Sequence, residues 1–179
     1  GYVDFNVEST QVAITPDKRD IFVTANVAEG EVYTVSSVKV TGDTILPQED
    51  IEALVILKEG DTFSRALVEL TTDAIIASLG NIGYAFAQVN PVPEIDRENR
   101  TIGLNFFVDP GPRVQVRRIE FAGNTGTSDE VMRRELRQYE GAWFSHAALD
   151  RSKVRLQRLA FFDSVEIETP EVPGAPDQV

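Results

Sequence analysis

Apolar and polar residues alternate with a period of two along residues 3–15 (VDFNVESTQVAIT) and 20–28 (DIFVTANVA), which predicts two half-buried strands. Pro16, Asp17 and Asp20 between them supply turn chemistry, so the pair reads as a β-hairpin. A third alternating run covers 32–41, where β-branched Val32, Val35, Val38 and Val40 suit a pleated surface and Gly42-Asp43 ends it. Then the period changes. Pro47, Glu49 and Asp50 open a short helix with Ile51, Leu54 and Val55 on its apolar face. Ser64 is placed to cap a longer helix carrying Ala66, Leu67, Leu70, Ala74, Ile75 and Leu79 at helical spacing, closed by Gly80 and Gly83. Strands at 85–91 and 101–108 follow, joined by the charged turn 94–100.

The same order begins again after Asp109-Pro110-Gly111-Pro112. A strand is predicted at 113–122, helices at 128–139 and 147–160, and a strand at 164–169. Thr127 and Glu130 have capping-box spacing, and Arg133, Arg134 and Arg137 fall in the last turns, where cations are favoured. Gly30 and Gly42 recur as Gly111 and Gly123, 81 residues later in both cases. GYVDFNV at 1–7 recurs as GYAFAQV at 83–89 and, more weakly, as AFFDSVEIE at 160–168. Repetition at fixed spacing means a tandem array. The fold class is therefore α+β, in units of strand, helix, helix, strand, strand, each with two helices on one face of a three-stranded mixed sheet. Residues 1–30 are the closing hairpin of one unit, 31–111 a complete unit, and 112–179 a unit lacking its last strand. If that strand lies between the other two, 111–179 cannot close a sheet alone, and reduced order or pairing with a neighbouring chain is expected there.

The net charge of −12 argues against a nucleic-acid partner for the chain as a whole. Its distribution is uneven: residues 111–160 hold ten Lys and Arg against six Asp and Glu, a basic zone in an acidic chain. There is no cysteine, and no apolar run long enough for a spanning helix. His146 is the lone histidine, which with no thiol is unlike a usual zinc site, and it reads as a surface residue at a helix start. Ser145 beside it is no evidence of Ser/His/Asp chemistry, and no phosphate-loop motif occurs. No residue set asks for a cofactor, a metal or a catalytic role. Trp143 and Phe144 read as packing aromatics.

The repeated unit, with V-x-V…V-x-V-x-G at its start and G-Y-x-x-x-x-V before its second strand, resembles the POTRA domain family. GYVDFNVESTQVAITPDKRDIFVTANVAEG (1–30) is similar to the end of a third such domain of the outer-membrane Omp85 arm. RRIEFAGNTGTSDEVMRRELRQYEGAW (117–143) with RLAFFDSVEIETPEVPGAPDQV (158–179) is similar to its fifth, leaving 31–111 as the fourth. The resemblance implies a non-enzymatic, chaperone-like scaffold: the periplasmic portion of a cell outer membrane protein, preceding a C-terminal membrane barrel. Such an arm receives unfolded β-barrel precursors and docks partner lipoproteins. It carries over a BamD-docking role to Glu140, with Arg133 and Arg137 on the same surface, four residues apart and so expected on one helix face. It also implies BamB docking on the strand holding Glu8, Val12 and Ile14. Without the resemblance, the residues themselves read Glu140 as an exposed glutamate ending a helix. The second strand of each unit, with Phe86 and Gln88 or Val165 and Ile167, is expected to be a sheet edge open to extended substrates. Alternatives are the arm of a two-partner secretion protein or organellar translocon, or an enzyme with a carboxylate pair in the acidic first 110 residues.

Overall fold

The computed structural model describes residues 6–14, 21–28 and 30–179. Strands β1 (Asn6–Ile14) and β2 (Ile21–Ala28) form an antiparallel hairpin in which Val12 faces Val23 and Val7 faces Val27. A bulge between Val7 and Ser9 makes Glu8 the extra residue. There follow β3 (Thr34–Gly42), α1 (Gln48–Leu54), α2 (Arg65–Asn81), β4 (Gln88–Asp96) and β5 (Thr101–Asp109), the expected strand, helix, helix, strand, strand. The sheet order is β3-β5-β4. Thr34 N–H bonds Arg100 O at the start of β3, and Asp43 N–H bonds Val108 O past its end, so β3 runs parallel to β5 and the sheet is mixed. Two more helices follow, α3 (Asp129–Glu135) and α4 (His146–Arg158).

Two compact units make up the chain. One holds the hairpin, β3 as far as Lys39, and residues 55–71 and 91–106. Tyr33, Val35, Leu57, Val68, Ile102, Leu104 and Phe106 are buried in it. A loop seals the outer edge of β3 at its start: Gly60 N–H bonds Val35 O at 2.9 Å, Val35 N–H bonds Asp61 O at 2.8 Å, and Phe63 N–H bonds Tyr33 O at 2.9 Å. Thr71 is fully buried on α2, and its hydroxyl accepts the Ile56 N–H just past the end of α1.

The other unit holds residues 40–54, 72–90 and 107–179. Its later part repeats those bonds 81 positions on. Gly141 N–H bonds Val116 O at 2.6 Å, Val116 N–H bonds Ala142 O at 2.9 Å, and Phe144 N–H bonds Val114 O at 3.0 Å. Ser152, buried on α4, accepts the Arg137 N–H at 2.8 Å and donates to Ala148 O at 2.7 Å. The end of α2 also seats this repeat. Asn81 Oδ1 accepts the Ala147 N–H in the first turn of α4, Arg113 Nε donates to Ile82 O, and Val114 N–H bonds Gly83 O.

Several expected boundaries move. The strand at 85–91 lies instead at 88–96, and α3 stops at Glu135 rather than continuing to 139, because Leu136 is extended at ψ 147°. Its cap is Ser128, not Thr127, and makes no side-chain capping bond. Ser145 caps α4, its hydroxyl accepting the Ala148 N–H. Residues 113–122 form no continuous strand. Gln115 alone is bridged, to Trp143 on one side and Gln178 on the other.

Residues 177–179 lie along the 115–117 segment. Gln115 N–H bonds Asp177 O, Val179 N–H bonds Gln115 O and Arg117 N–H bonds Val179 O, a parallel pairing like that of β3 with β5. Three residues cannot bridge the whole sheet. Accordingly 164–169 is no strand, and among the described residues it joins no ladder. The helical layer is packed nonetheless: Met132, Leu136 and Leu156 form a buried cluster against Ile119, Phe121, Leu159, Phe162 and Val165.

Gly42 and Gly60 separate two effects that glycine replacement combines. Both have left-handed φ, +96° and +90°, but a Cβ on Gly42 would overlap the Val108 carbonyl, whereas nothing lies within 4 Å of one on Gly60. Gly42→Ala should therefore lower the urea midpoint further than Gly60→Ala, by the equivalent of at least about 1 kcal/mol. Equal midpoints would show that φ strain alone is felt.

Candidate partner-docking surface

Glu140 sits in the loop between α3 and α4, and the loop is fixed from beneath by Gln138, 3% exposed. Gln138 Nε2 donates to Trp143 O at 3.0 Å and Tyr139 O at 3.4 Å, and its Oε1 accepts the Ser145 N–H at 2.9 Å. A buried amide used on both its atoms holds a tight loop without a strand. Gly141 then turns the chain at φ +75°. So held, Glu140 Oε1 accepts the Ile119 N–H at 2.8 Å and Arg133 Nη1 at 3.2 Å, while Arg133 Nη2 donates to Ile119 O at 2.9 Å. The Arg133 guanidinium also lies 5.4 Å from the Phe121 ring centroid, a cation–π distance.

The Ile119 amide bond, and after it the bond from Arg133, hold the Glu140 carboxyl below the ordinary glutamate range. Partial desolvation opposes them, and the charges of Arg133 and Arg118 add to them. With side chains 44% and 41% exposed, the Arg133–Glu140 pair is a surface ion pair made specific by its two main-chain bonds.

The expected companion Arg137 is not on the face of Arg133. The helix ends two residues before it, so four-residue spacing no longer puts the two side by side. Arg137 Nη1 instead donates to Leu136 O at 2.8 Å and Arg134 O at 3.3 Å, satisfying carbonyls at the helix end. Phe144 is buried as expected, but Trp143 is 44% exposed beneath the Arg113 guanidinium, 4.2 Å from its ring centroid. Tyr139 is exposed beside it in the same loop. His146 Nδ1 meets Asp150 at 3.1 Å on the surface of α4, and the Ser145 hydroxyl is taken by the helix cap.

Of the remaining candidates, Glu8 and Val12 are exposed on β1, and Ile14 is paired in register with Ile21. Phe86 precedes β4, not within it, and Gln88 is the first residue of that strand. The outer position of β4 in the sheet is as expected. Its sequence includes Pro91 and Pro93, which have no N–H, and a strand tolerates proline where the missing donor faces outward. That edge is therefore poor in donors. Val165 is partly buried on the helical cluster and Ile167 is exposed; neither is in a strand. Asp96 closes the β4–β5 turn, and its carboxyl is held low by bonds from the Asn99 side chain and main chain and from Glu98 N–H. Sequence reasoning missed Ile119, whose role is played by its peptide groups, and Gln138, whose one available signal is a polar residue between Leu136 and the loop.

A POTRA family model, described as "Surface antigen variable number repeat", matches residues 33–111 and 114–179. The outer membrane protein assembly factor BamA of Neisseria meningitidis serogroup B is 33% identical over 180 residues, covering 100% of this chain and 23% of its own length. That of Buchnera aphidicola subsp. Acyrthosiphon pisum is 33% identical over 167 residues, 93% of this chain and 27% of its own length. The chain thus spans about a quarter of these curated relatives. Among solved structures, Haemophilus influenzae BamA POTRA3-5 superposes with a TM-score of 0.90 at 35% identity, over 99% of this chain and 70% of that one. Haemophilus ducreyi BamA lacking POTRA domains 1-3 gives 0.70 at 37% identity, over 82% of this chain and 28% of that one.

The lowered Glu140 carboxyl fixes the sign of its pH effect. The unfolded chain takes up this proton first, so the stabilisation is complete above the ordinary glutamate range and is lost as pH falls through the depressed native value. Glu140→Gln should accordingly approach wild-type stability as pH falls through that window. A carboxyl-carbon NMR titration should place Glu140 below the ordinary glutamate range, and Arg133→Gln should raise it only part of the way, since the Ile119 amide is the larger cause. Titration of Glu140 within the ordinary range would remove this account.

Proposed function

The chain belongs to the POTRA family, and from that premise we propose that it is part of the periplasmic arm of an outer-membrane protein assembly factor. The arm precedes a membrane barrel, docks partner lipoproteins and receives unfolded β-barrel precursors for insertion; it performs no catalysis. Residues 1–30 are the closing hairpin of its third domain, 31–111 make up its fourth, and 112–179 belong to its fifth. The observation that carries this reading is the likeness to Haemophilus influenzae BamA POTRA3-5 over 99% of the chain at 35% identity.

Within that role, Glu140 and Arg133 form the BamD-docking point. Their support is physical: a half-exposed carboxylate held by the Ile119 N–H and by Arg133, which is itself fixed on Ile119 O, is preorganised for a cation on a partner. Arg137 is the third residue of the proposed docking region, although its guanidinium bonds the carbonyls at the end of α3. The β1 strand with Glu8, Val12 and Ile14 is the BamB-docking strand, where the bulge at Glu8 sets that side chain out of the regular ladder. Phe86 and Gln88, with Val165 and Ile167, flank substrate edges.

The test is calorimetric titration of BamD into the intact protein. Glu140→Arg should weaken binding at least about tenfold, the scale of a lost desolvated charge contact. Glu140→Gln, which keeps an acceptor for Ile119 N–H, separates loss of charge from disturbance of the loop and should weaken binding less. Wild-type affinity in both variants would put the interface elsewhere.

A further inference from the structure

Beyond the loop that covers Val114 and Val116, the N–H and C=O of Ile119 are bonded by side chains, those of Glu140 and Arg133. Val114 and Val116 are buried, and Ile119 and Phe121 then pack on the helical cluster. That change of phase accommodates an extra residue between 116 and 119 and turns the Ile119 peptide groups toward Glu140. There Glu140 Oε1 receives the N–H and Arg133 Nη2 donates to the C=O, while Arg133 Nη1 ties the two side chains together. One acceptor and one donor offered to the same residue are what a neighbouring strand supplies.

We propose that residues 118–120 form a docking edge for an extended polypeptide, closed by the Glu140–Arg133 clamp and opened when a cationic group of a docking partner takes the Glu140 carboxylate. The occupant is an extended chain because the groups the clamp covers are peptide groups, which select for backbone and not for side-chain identity. Both clamp residues are half exposed, so exchange of their partners with solvent costs little. Among the described residues nothing is recorded on Glu140 Oε2, which leaves an incoming cation an oxygen to approach before Oε1 is given up.

The preceding repeat shows that the device is not a by-product of the fold. Glu59 stands where Glu140 stands, ahead of the same Gly-x-x-Phe-Ser run, but Glu52 occupies the place of Arg133. The Glu52 carboxylate accepts instead from Gln48 Nε2 at 2.8 Å, and among the described residues no side-chain clamp closes on Val38, the counterpart of Ile119. A cation in that one helical position is what makes the seal.

The trigger rests on the docking role proposed above; the edge itself does not. Both can be tested in the intact protein with a photocrosslinking residue in place of Arg118 and a urea-unfolded β-barrel polypeptide as probe, alongside hydrogen exchange of the segment containing Ile119. Glu140→Ala and, independently, Arg133→Ala should raise both crosslinking and Ile119 exchange several-fold, and Glu140→Gln should fall between them and wild type. Added BamD should raise wild-type exchange toward the level of Glu140→Ala. Exchange that rises with no gain in crosslinking would overturn the docking edge, and unchanged exchange in both alanine variants would overturn the clamp. BamD that binds without raising exchange would overturn the trigger. BamD that fails to bind would overturn the docking role, and the alanine variants would still decide the edge.

Discussion

Each repeat depends on a hydroxyl buried at the join of its two helices. Where the first helix ends, the next amide has no carbonyl of its own helix to turn back to. Thr71 supplies the acceptor for Ile56 N–H in one repeat and Ser152 the acceptor for Arg137 N–H in the next. An orphaned buried amide costs about 1–3 kcal/mol, a large part of the stability of a domain of this size. With that bond made, the first helix can stop after two turns and the following loop can run back along the opening strand. The loop then lays its own peptide groups on that strand's outer edge, through Gly60 and Gly141 at equivalent places. Everything at the Glu140 surface follows from this: the loop must return to the sheet before a side chain at its start can reach Ile119.

The architecture was legible from periodicity and from the glycine spacing, because both are set by packing that every copy of the unit shares. The order of strands and helices, and α2 in particular with its Ser64 start and Gly80 finish, came through nearly intact. What failed were features that depend on a partner distant in sequence. The 113–122 run has strand periodicity, yet a strand also needs a continuous neighbour, and beside it stand only 177–179 and a short loop. The helix expected through 139 stops at Glu135 because burying Gln138 under its loop and ending on Ser152 outweighs four more residues of helical periodicity.

The site was half legible. Glu140 and Arg133 are marked by sequence, and the structure joins them directly. Their common partner is the main chain of Ile119, and main-chain groups carry no residue signature. Arg137 illustrates the opposite error, in which a spacing rule valid inside a helix was applied across its end. Trp143 reads as core by composition but lies out under Arg113, since the loop turns the neighbouring Phe144 inward in its place.

The capping of α4 by Asn81 has an evolutionary consequence. Repeats multiply by duplication and diversify by recombination, and a crossover is tolerated where it severs few bonds. The proline-rich junction at 109–112 looks like such a point, yet Asn81, Ile82 and Gly83 already serve the repeat that follows it. A chimera joined at that junction would bring in an α4 whose Ala147 N–H lacks the Asn81 acceptor and an Arg113 without its carbonyl. A cassette that keeps these bonds would therefore begin near Gly80, inside the preceding repeat.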